Sequence, residues 1–191
     1  MNRLNRTIPI GYGFSDTLYN IVYMADFCYN GSNIIQKELA FVRADELAVR
    51  FNMEPHVEGG TFVELNDPVP DGMRRAPSGV IYYHLGSHEF SDFHVLDSDE
   101  YWLWHAGSTL ELWLVNEDGS MNIRRLGIED DAVPCLLVKA GVVFGARHLT
   151  GAADGTFVSC VTVPRFSYEH YRILPKEEML EKYPASAEFY R

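Results

Sequence analysis

The chain has 191 residues, a formal net charge of -11 at pH 7 and a hydrophobic fraction of 47%. This length and composition suit a single domain with a well-buried core. The acidic charge argues against nucleic acids and anionic membranes as partners, because both are bound through clustered Lys and Arg side chains.

The three cysteines, Cys28, Cys135 and Cys160, include no CxxC pair and have no spacing suited to zinc. Such sparse thiols are typical of a reducing compartment. The N-terminal sequence lacks the continuous apolar segment of a secretory signal, and no run reaches the roughly 18 apolar residues of a membrane span. We therefore expect a cytoplasmic protein.

Residues 1–38 have no regular hydrophobic period and are predicted to form an N-terminal arm, while residues 39–191 are predicted to form the domain. The segment RADELAVRFN, 43–52, is predicted to be a helix because acidic residues near its start suit the helix dipole. The segment PKEEMLEKY, 175–183, predicts a terminal helix with Pro175 in its first turn.

Between the two helices the pattern changes to short runs of β-branched and aromatic residues bounded by Gly, Pro or Asp, which predict at least seven strands. The sequence Glu-Asp-Gly-Ser at 117–120 predicts a hairpin, since Asp-Gly supplies positive φ. Because no βαβ alternation is present, we expect a mainly β fold, an antiparallel sandwich or barrel with a few flanking helices. The runs are GGTFVEL, SGVIYYHLG, FSDFHVLD, DEYWLWHAG, TLELWLVNEDGSMNIRRLG, CLLVKAGVVFGARHL and GTFVSCVTVPRF.

The stretch FHVLDSDEYWLWHAGS, 93–108, resembles the first signature of the cupin superfamily, in which HxH is followed by Glu and then Gly. His94 matches the first histidine and Glu100 the glutamate, but Leu96 stands at the second histidine. In the second signature, Pro-x-Gly-x-x-His, the segment KAGVVF keeps the glycine and has Phe144 at the last ligand. The sequence therefore lacks two of the four metal ligands that the cupin signatures contain.

Three ordered segments, PHVEGGTFVEL, FHVLDSDEYWLWHAGSTLELWLV and AGVVFGARHL, resemble the small cupin family long catalogued as a domain of unknown function. The resemblance runs from about Phe41 to Tyr183. Departures are Val57 for the usual Pro, Leu103 where His is often seen, and Lys139 for Pro. The resemblance implies a double-stranded β-helix, or jelly-roll barrel, and a homodimer. It extends more faintly to dTDP-sugar 3,5-epimerases, which use this barrel without a metal.

Two chemistries are open for the site. A divalent transition metal needs three or four converging ligands, and His94 and Glu100 provide only two. His105 is the remaining candidate, although strand alternation puts it on the opposite face from Glu100 unless a bulge intervenes. In acid–base chemistry, a carboxyl buried beside tryptophans has a raised pKa and can exchange protons with a neighbouring histidine. We expect His94 and Glu100 to be catalytic, with no metal cofactor.

Several other side chains are candidates for ligand binding. Gly59-Gly60 permits a tight turn that presents His56 and Glu58, which border the barrel opening in the resembled family. Glu64 fits a structural role better, and Arg147 is the candidate cation for an anionic ligand group. Aromatic candidates are Tyr82, Trp102, Trp104 and Phe144.

Three functions from different classes fit these residues. The first is a metal-independent isomerase or epimerase acting on a sugar or nucleotide-sugar-like metabolite. The second is a binding module that holds a small ligand without chemistry, and the third is a metal-dependent oxygenase or isomerase using His94, Glu100 and His105. All three imply a small-molecule ligand, in a homodimer that has neither nucleic acid nor membrane as a partner.

Overall fold

The computed structural model describes residues 43–66, 68–129, 131–149, 152 and 154–191. The predicted N-terminal arm, 1–38, and residues 39–42 lie outside these ranges, as does Cys28. Within the described residues, no helix is long and apolar enough to cross a membrane.

Two α-helices and eleven strands form the described part of the chain, together with short 3-10 helices at Tyr168–His170 and Pro184–Tyr190. The helices are α1 (Ala44–Arg50) and α2 (Lys176–Lys182). The strands are β1 (Glu54–Pro55), β2 (Thr61–Glu64), β3 (Gly79–Leu85), β4 (Phe90–Val95), β5 (Asp99–Gly107), β6 (Leu110–Val115), β7 (Met121–Leu126), β8 (Cys135–Val138), β9 (Phe144–His148), β10 (Thr156–Val163) and β11 (Arg172–Ile173).

The strands form two antiparallel sheets. One has the order β1-β2-β3-β10-β5-β8 and the other β11-β4-β9-β6-β7. Each of the seven predicted runs contains at least one strand, and the 117–120 turn joins β6 to β7 with Gly119 at φ 81°. The predicted mainly β fold, a double-stranded β-helix with a few flanking helices, is confirmed, and helices lie within the predicted segments 43–52 and 175–183.

The inner faces of both sheets bury a common core. Tyr83 and Val158 come from the first sheet, Leu112, Phe144 and Ala146 from the second, and all five are at most 2% exposed. Strand alternation produces this arrangement, since every second side chain points inward. A second cluster forms where the C-terminal helices pack, around Phe93, Trp113, Leu174, Met179 and Phe189.

Helix α1 packs on the outer face of the first sheet. Asp45 Oδ1 lies 2.9 Å from His84 Nε2, and the Phe51 ring lies 5.0 Å from that of Tyr82 and 5.8 Å from that of Phe157. Tyr82 and His84 therefore face outward, under the helix. Tyr83 lies between them on β3 and so points into the barrel, because side chains alternate along a strand.

Candidate active site in the barrel

A pocket at one end of the barrel is lined by both sheets and by the segments around them. The pocket has an empty volume of about 650 Å³, which includes solvent at its mouth. The lining residues are His56, Glu58, Phe62, Glu64, Asn66, Gly79, Val80, Ile81, Tyr83, His94, Leu96, Glu100, Trp102, Cys160, Thr162, Arg165, Phe166 and Tyr168.

Glu100 occupies a buried position on the inner face of β5. Its register partners are Thr162 on β10 and Val138 on β8, so Glu100 lies on a strand that is paired on both sides within the first sheet. The residue is 7% exposed, and its Oε2 has no hydrogen-bond partner among the described residues. Burial, followed by the negative charge of Glu58, raises the pKa of Glu100 to about 8. The carboxyl is therefore mostly protonated at neutral pH.

His94 enters the same pocket from β4 in the second sheet, and it is 2% exposed. Its Nδ1 lies 2.7 Å from the carbonyl oxygen of Asp92. A carbonyl oxygen only accepts hydrogen bonds, so Nδ1 carries the proton and donates it. In the neutral ring Nε2 is then unprotonated, which makes it the nitrogen able to act as a base.

Glu58 lies between two imidazoles. Its Oε2 accepts a hydrogen bond of 3.0 Å from Ser91 Oγ, and it lies 3.5 Å from His94 Nδ1 and 3.8 Å from His56 Nδ1. Burial lowers the pKa of His56, although the charge of Glu58 opposes that shift. Glu58 is 8% exposed, so its carboxylate interacts electrostatically with both imidazole rings at short range and with little screening by water.

The Gly59-Gly60 turn sets the position of Glu58. Gly59 has φ 111°, and a Cβ built there would lie 2.0 Å from the carbonyl oxygen of Phe90. The close approach is accompanied by a backbone bond of 2.9 Å from Asp92 N–H to the Glu58 carbonyl. Tyr83 Oη donates a further bond of 2.8 Å to the Gly59 carbonyl. Only glycine fits this conformation, and the turn is thereby fixed against β4.

The structure brings five of the predicted site residues together in the pocket: His56, Glu58, His94, Glu100 and Trp102. Glu64 also lines the pocket, at its mouth, where it forms an ion pair with Arg165. The predicted catalytic pair therefore shares one cavity with the two residues of the HVEGG turn.

Three predicted ligand-binding residues lie outside the pocket lining. Tyr82 is on the outer face of β3, where its ring contacts Phe51 and Phe157. Trp104 has the same parity as Trp102, but it packs against the core further along β5. Phe144 is 1% exposed and lies behind His94, with the two rings 4.2 Å apart. Phe144 and His94 are register partners on β9 and β4, so their side chains share a face.

The described residues do not fit a cupin metal. His105 lies on the outer face of β5, and its Nε2 contacts Ser159 Oγ at 2.5 Å, so it does not converge with His94 and Glu100. Leu96 lines the pocket where a second nitrogen ligand would stand, and the Phe144 ring fills the fourth position. No group of three or more His, Cys, Asp or Glu side chains in the described part of the chain is arranged to hold a metal ion.

The sequence reasoning missed several pocket residues, of which Tyr83 and Arg165 carry polar groups discussed below. Tyr83 points into the barrel because its neighbour Tyr82 faces α1. The sequence of two adjacent tyrosines does not reveal which of them points inward. Arg165 lines the mouth, whereas the predicted cation Arg147 lies 4.8 Å over the Trp113 ring and pairs with Glu111. The available signal for Arg165 was its place just after β10, three residues beyond the register partner of Glu100.

Comparisons with known proteins agree with this architecture. The model of the family described as Cupin superfamily (DUF985) matches residues 45–174. The chain belongs to this cupin family. None of the curated proteins matches its sequence.

Solved structures give the same cupin fold. A protein from Shewanella oneidensis is 28% identical, with a TM-score of 0.69 over 75% of this chain and 91% of that one. A hypothetical protein from Leishmania major is 27% identical, with a TM-score of 0.63 over 75% of this chain and 93% of that one. A cupin 2 domain-containing protein from Halorhodospira halophila, 13% identical with a TM-score of 0.50, covers 72% of this chain and 87% of its own length.

Proposed function

We propose that this cupin binds a small sugar-like metabolite in the barrel pocket and moves a proton on it without a metal, as an isomerase or epimerase does. Glu100 is the acid and His94 the base. The observation that carries the proposal is the state of Glu100, whose buried carboxyl has a pKa of about 8 and an Oε2 without a hydrogen-bond partner among the described residues.

The two groups are suited to opposite roles in a proton transfer. Glu100 holds a proton because its charged form is poorly solvated, so it can donate to an oxygen of a bound ligand. His94 holds its proton on Nδ1, against the Asp92 carbonyl, which leaves Nε2 to accept one. A protonated carboxyl and an imidazole nitrogen able to accept a proton, in one pocket, are the arrangement that acid–base catalysis requires.

The remaining inner residues fit the same chemistry. Trp102 and Phe62 make the walls apolar, which keeps water from competing for Glu100, while Glu58 stabilises any positive charge that develops on His94. When Nε2 takes up a proton, the positive charge is shared over a ring whose Nδ1 lies 3.5 Å from a carboxylate oxygen of Glu58. The faint resemblance to metal-independent dTDP-sugar epimerases supports a sugar-like ligand by analogy of fold.

A hydrogen–deuterium exchange screen tests the proposal. The protein is incubated in D₂O with a panel of aldoses, ketoses, sugar phosphates and nucleotide sugars, and carbon-bound deuterium is read by mass spectrometry and NMR. We expect the wild type to exchange a carbon-bound proton of at least one compound, and both Glu100→Gln and His94→Gln to lose that exchange while still binding the compound. Glu117→Gln, in the exposed β6–β7 turn, is the matched control.

The alternative of a non-catalytic binding module predicts a different outcome in the same screen. Saturable binding in the pocket, with no exchange by the wild type of any bound compound, would favour the module and reject the isomerase.

A further inference from the structure

We propose that His56 is a further binding residue of the pocket, whose neutral imidazole carries its proton on Nε2 and donates a hydrogen bond to a carbonyl oxygen of the ligand. The inference rests on the proposed function, because it names the class of ligand on which that function acts, an α-hydroxy carbonyl compound. His56 lines the same pocket as Glu100 and His94, and the proton transfer between those two groups and a ligand gives it no role.

Two aromatic rings and a backbone turn hold the His56 imidazole in one orientation. The His56 side chain is 9% exposed. Its ring centre lies 4.7 Å from that of Phe62 and 5.8 Å from that of Tyr83, with interplanar angles of 85° and 84°, so both contacts are edge-to-face. The His56 backbone N–H donates a 3.0 Å hydrogen bond to the Gly60 carbonyl. The fold therefore sets the position of the ring before a ligand binds.

The contacts of His56 Nδ1 determine which ring nitrogen carries the proton. The backbone N–H of Glu58 donates to Nδ1 over 3.4 Å. An N–H group can only donate, so Nδ1 accepts, and the proton of the neutral ring is on Nε2. The Glu58 carboxylate lies farther off, with its Oε2 3.8 Å from Nδ1, which is beyond hydrogen-bonding distance. Burial lowers the pKa of His56 below its usual value, so the ring is neutral at pH 7.

The Nε2–H of His56 is available to a ligand. Among the described residues no group accepts a hydrogen bond from it, and Nε2 is not one of the side-chain atoms that are sealed from solvent without a partner. His94 has the opposite tautomer, since its Nδ1 donates to the Asp92 carbonyl and its Nε2 is the acceptor. The pocket therefore presents two donors, His56 Nε2–H and the protonated Glu100 carboxyl, together with one acceptor, His94 Nε2.

This set of groups selects an uncharged ligand that bears oxygen. The two donors need acceptor oxygens, and the Glu58 carboxylate beside both imidazoles disfavours an anionic group in this part of the pocket. A carbon-bound proton becomes acidic enough for an imidazole to remove when a carbonyl stands on the neighbouring carbon. An α-hydroxy carbonyl unit provides the carbonyl oxygen, the acidic C–H bond and a hydroxyl group within two adjacent carbons.

The proton transfer balances within these groups. His94 Nε2 takes the proton from the hydroxyl-bearing carbon, and the C–H electron pair forms a C=C bond. The π pair of the carbonyl moves onto its oxygen, which takes the proton of Glu100. The product is a neutral enediol, with His94 left as imidazolium and Glu100 as carboxylate. His56 transfers no proton, but its Nε2–H is bonded to the carbonyl oxygen as negative charge builds there, which stabilises the transition state.

Titration with hydroxyacetone and dihydroxyacetone at pH 7 tests this, with glycerol as the analogue that lacks a carbonyl. The readout is the NMR shift of the Trp102 indole N–H in the pocket wall. We expect saturable binding of at least one ketone, and binding of glycerol about threefold or more weaker. His56→Phe, which keeps the ring contacts but removes the donor, should weaken ketone binding about three- to tenfold. His56→Gln, which restores an N–H donor, should recover most of that loss, and His105→Phe, on the outer face of β5, should bind like the wild type.

A second measurement uses the wild type alone. In protein carrying ¹⁵N-labelled histidine, the neutral His56 ring should be protonated on Nε2, and its Nε2–H signal should move when the ketone is added. A neutral His56 ring protonated on Nδ1, no saturable binding of either ketone, equal ketone affinity in His56→Phe, or equal affinity for glycerol would each overturn the inference. Failure of the proton-transfer function is detected separately, because the bound ketone would then show no deuterium exchange while these binding results held.

Discussion

Replacing Glu100 with Gln should remove a strong pH dependence from the stability of this cupin. Burial raises the pKa of Glu100 from 4.5 to about 8 in the folded protein. Between these values the folded chain keeps a proton that the unfolded chain releases, so the free energy of unfolding falls as the pH rises. The stability provided by the neutral carboxyl is fully present below pH 4.5 and is lost as the pH reaches 8.

The magnitude follows from the size of that window. Each pH unit within it changes the free energy of unfolding by about 1.36 kcal/mol, so the wild type loses up to about 5 kcal/mol from this residue. Gln matches the neutral carboxyl in shape and does not titrate. The variant should be within about 1 kcal/mol of the wild type near pH 4.5 and several kcal/mol more stable near pH 8.

Urea denaturation monitored by tryptophan fluorescence, at pH values from 4.5 to 9, measures the effect. The Glu117→Gln control should follow the wild-type curve at every pH, because Glu117 is exposed in the β6–β7 turn. Parallel stability curves for the wild type and Glu100→Gln would refute the reasoning, since they would mean that Glu100 titrates alike in the folded and unfolded chains.

Three further outcomes are expected. Tyr83→Phe should lower the free energy of unfolding in urea by about 1–3 kcal/mol, because the Gly59 carbonyl loses its 2.8 Å donor, while Tyr82→Phe should change it by less than about 0.5 kcal/mol. Dialysed protein should hold no stoichiometric transition metal by mass spectrometry, and stoichiometric metal that disappears in His94→Ala would contradict the ligand argument. Sedimentation should give a homodimer at micromolar concentration, and a monomer there would count against the predicted assembly.

The barrel could be predicted because its signals are local. Alternation within each run, the Asp-Gly turn and Pro175 before α2 each determine structure over a few residues, and the ordered motifs identified the family. The two-residue strands β1 and β11 were missed, since so short a pairing leaves no periodic pattern. Pro184 marks the end of α2, but the 3-10 helix that begins there has no comparable signal.

The site was predicted only in part, for reasons of parity and distance along the chain. Glu100 and Trp102 point inward as alternation required, and His105 points outward. Tyr82 could not be distinguished from Tyr83 without knowing that α1 covers the outer face of β3. Arg165 belongs to the pocket because β10 pairs with both β3 and β5, a long-range arrangement that no local pattern encodes.

Proton transfer in the pocket depends on two states: Glu100 holds a proton at neutral pH, and the neutral His94 ring carries its proton on Nδ1, which leaves Nε2 as the base. NMR of protein carrying ¹³C-labelled glutamate and ¹⁵N-labelled histidine, assigned with the Glu100→Gln and His94→Gln variants, measures both states directly. We predict a Glu100 carboxyl that titrates with a midpoint near 8 and a neutral form of His94 that is protonated on Nδ1. A Glu100 midpoint at or below 4.5, or a neutral His94 ring with its proton on Nε2, would contradict the account.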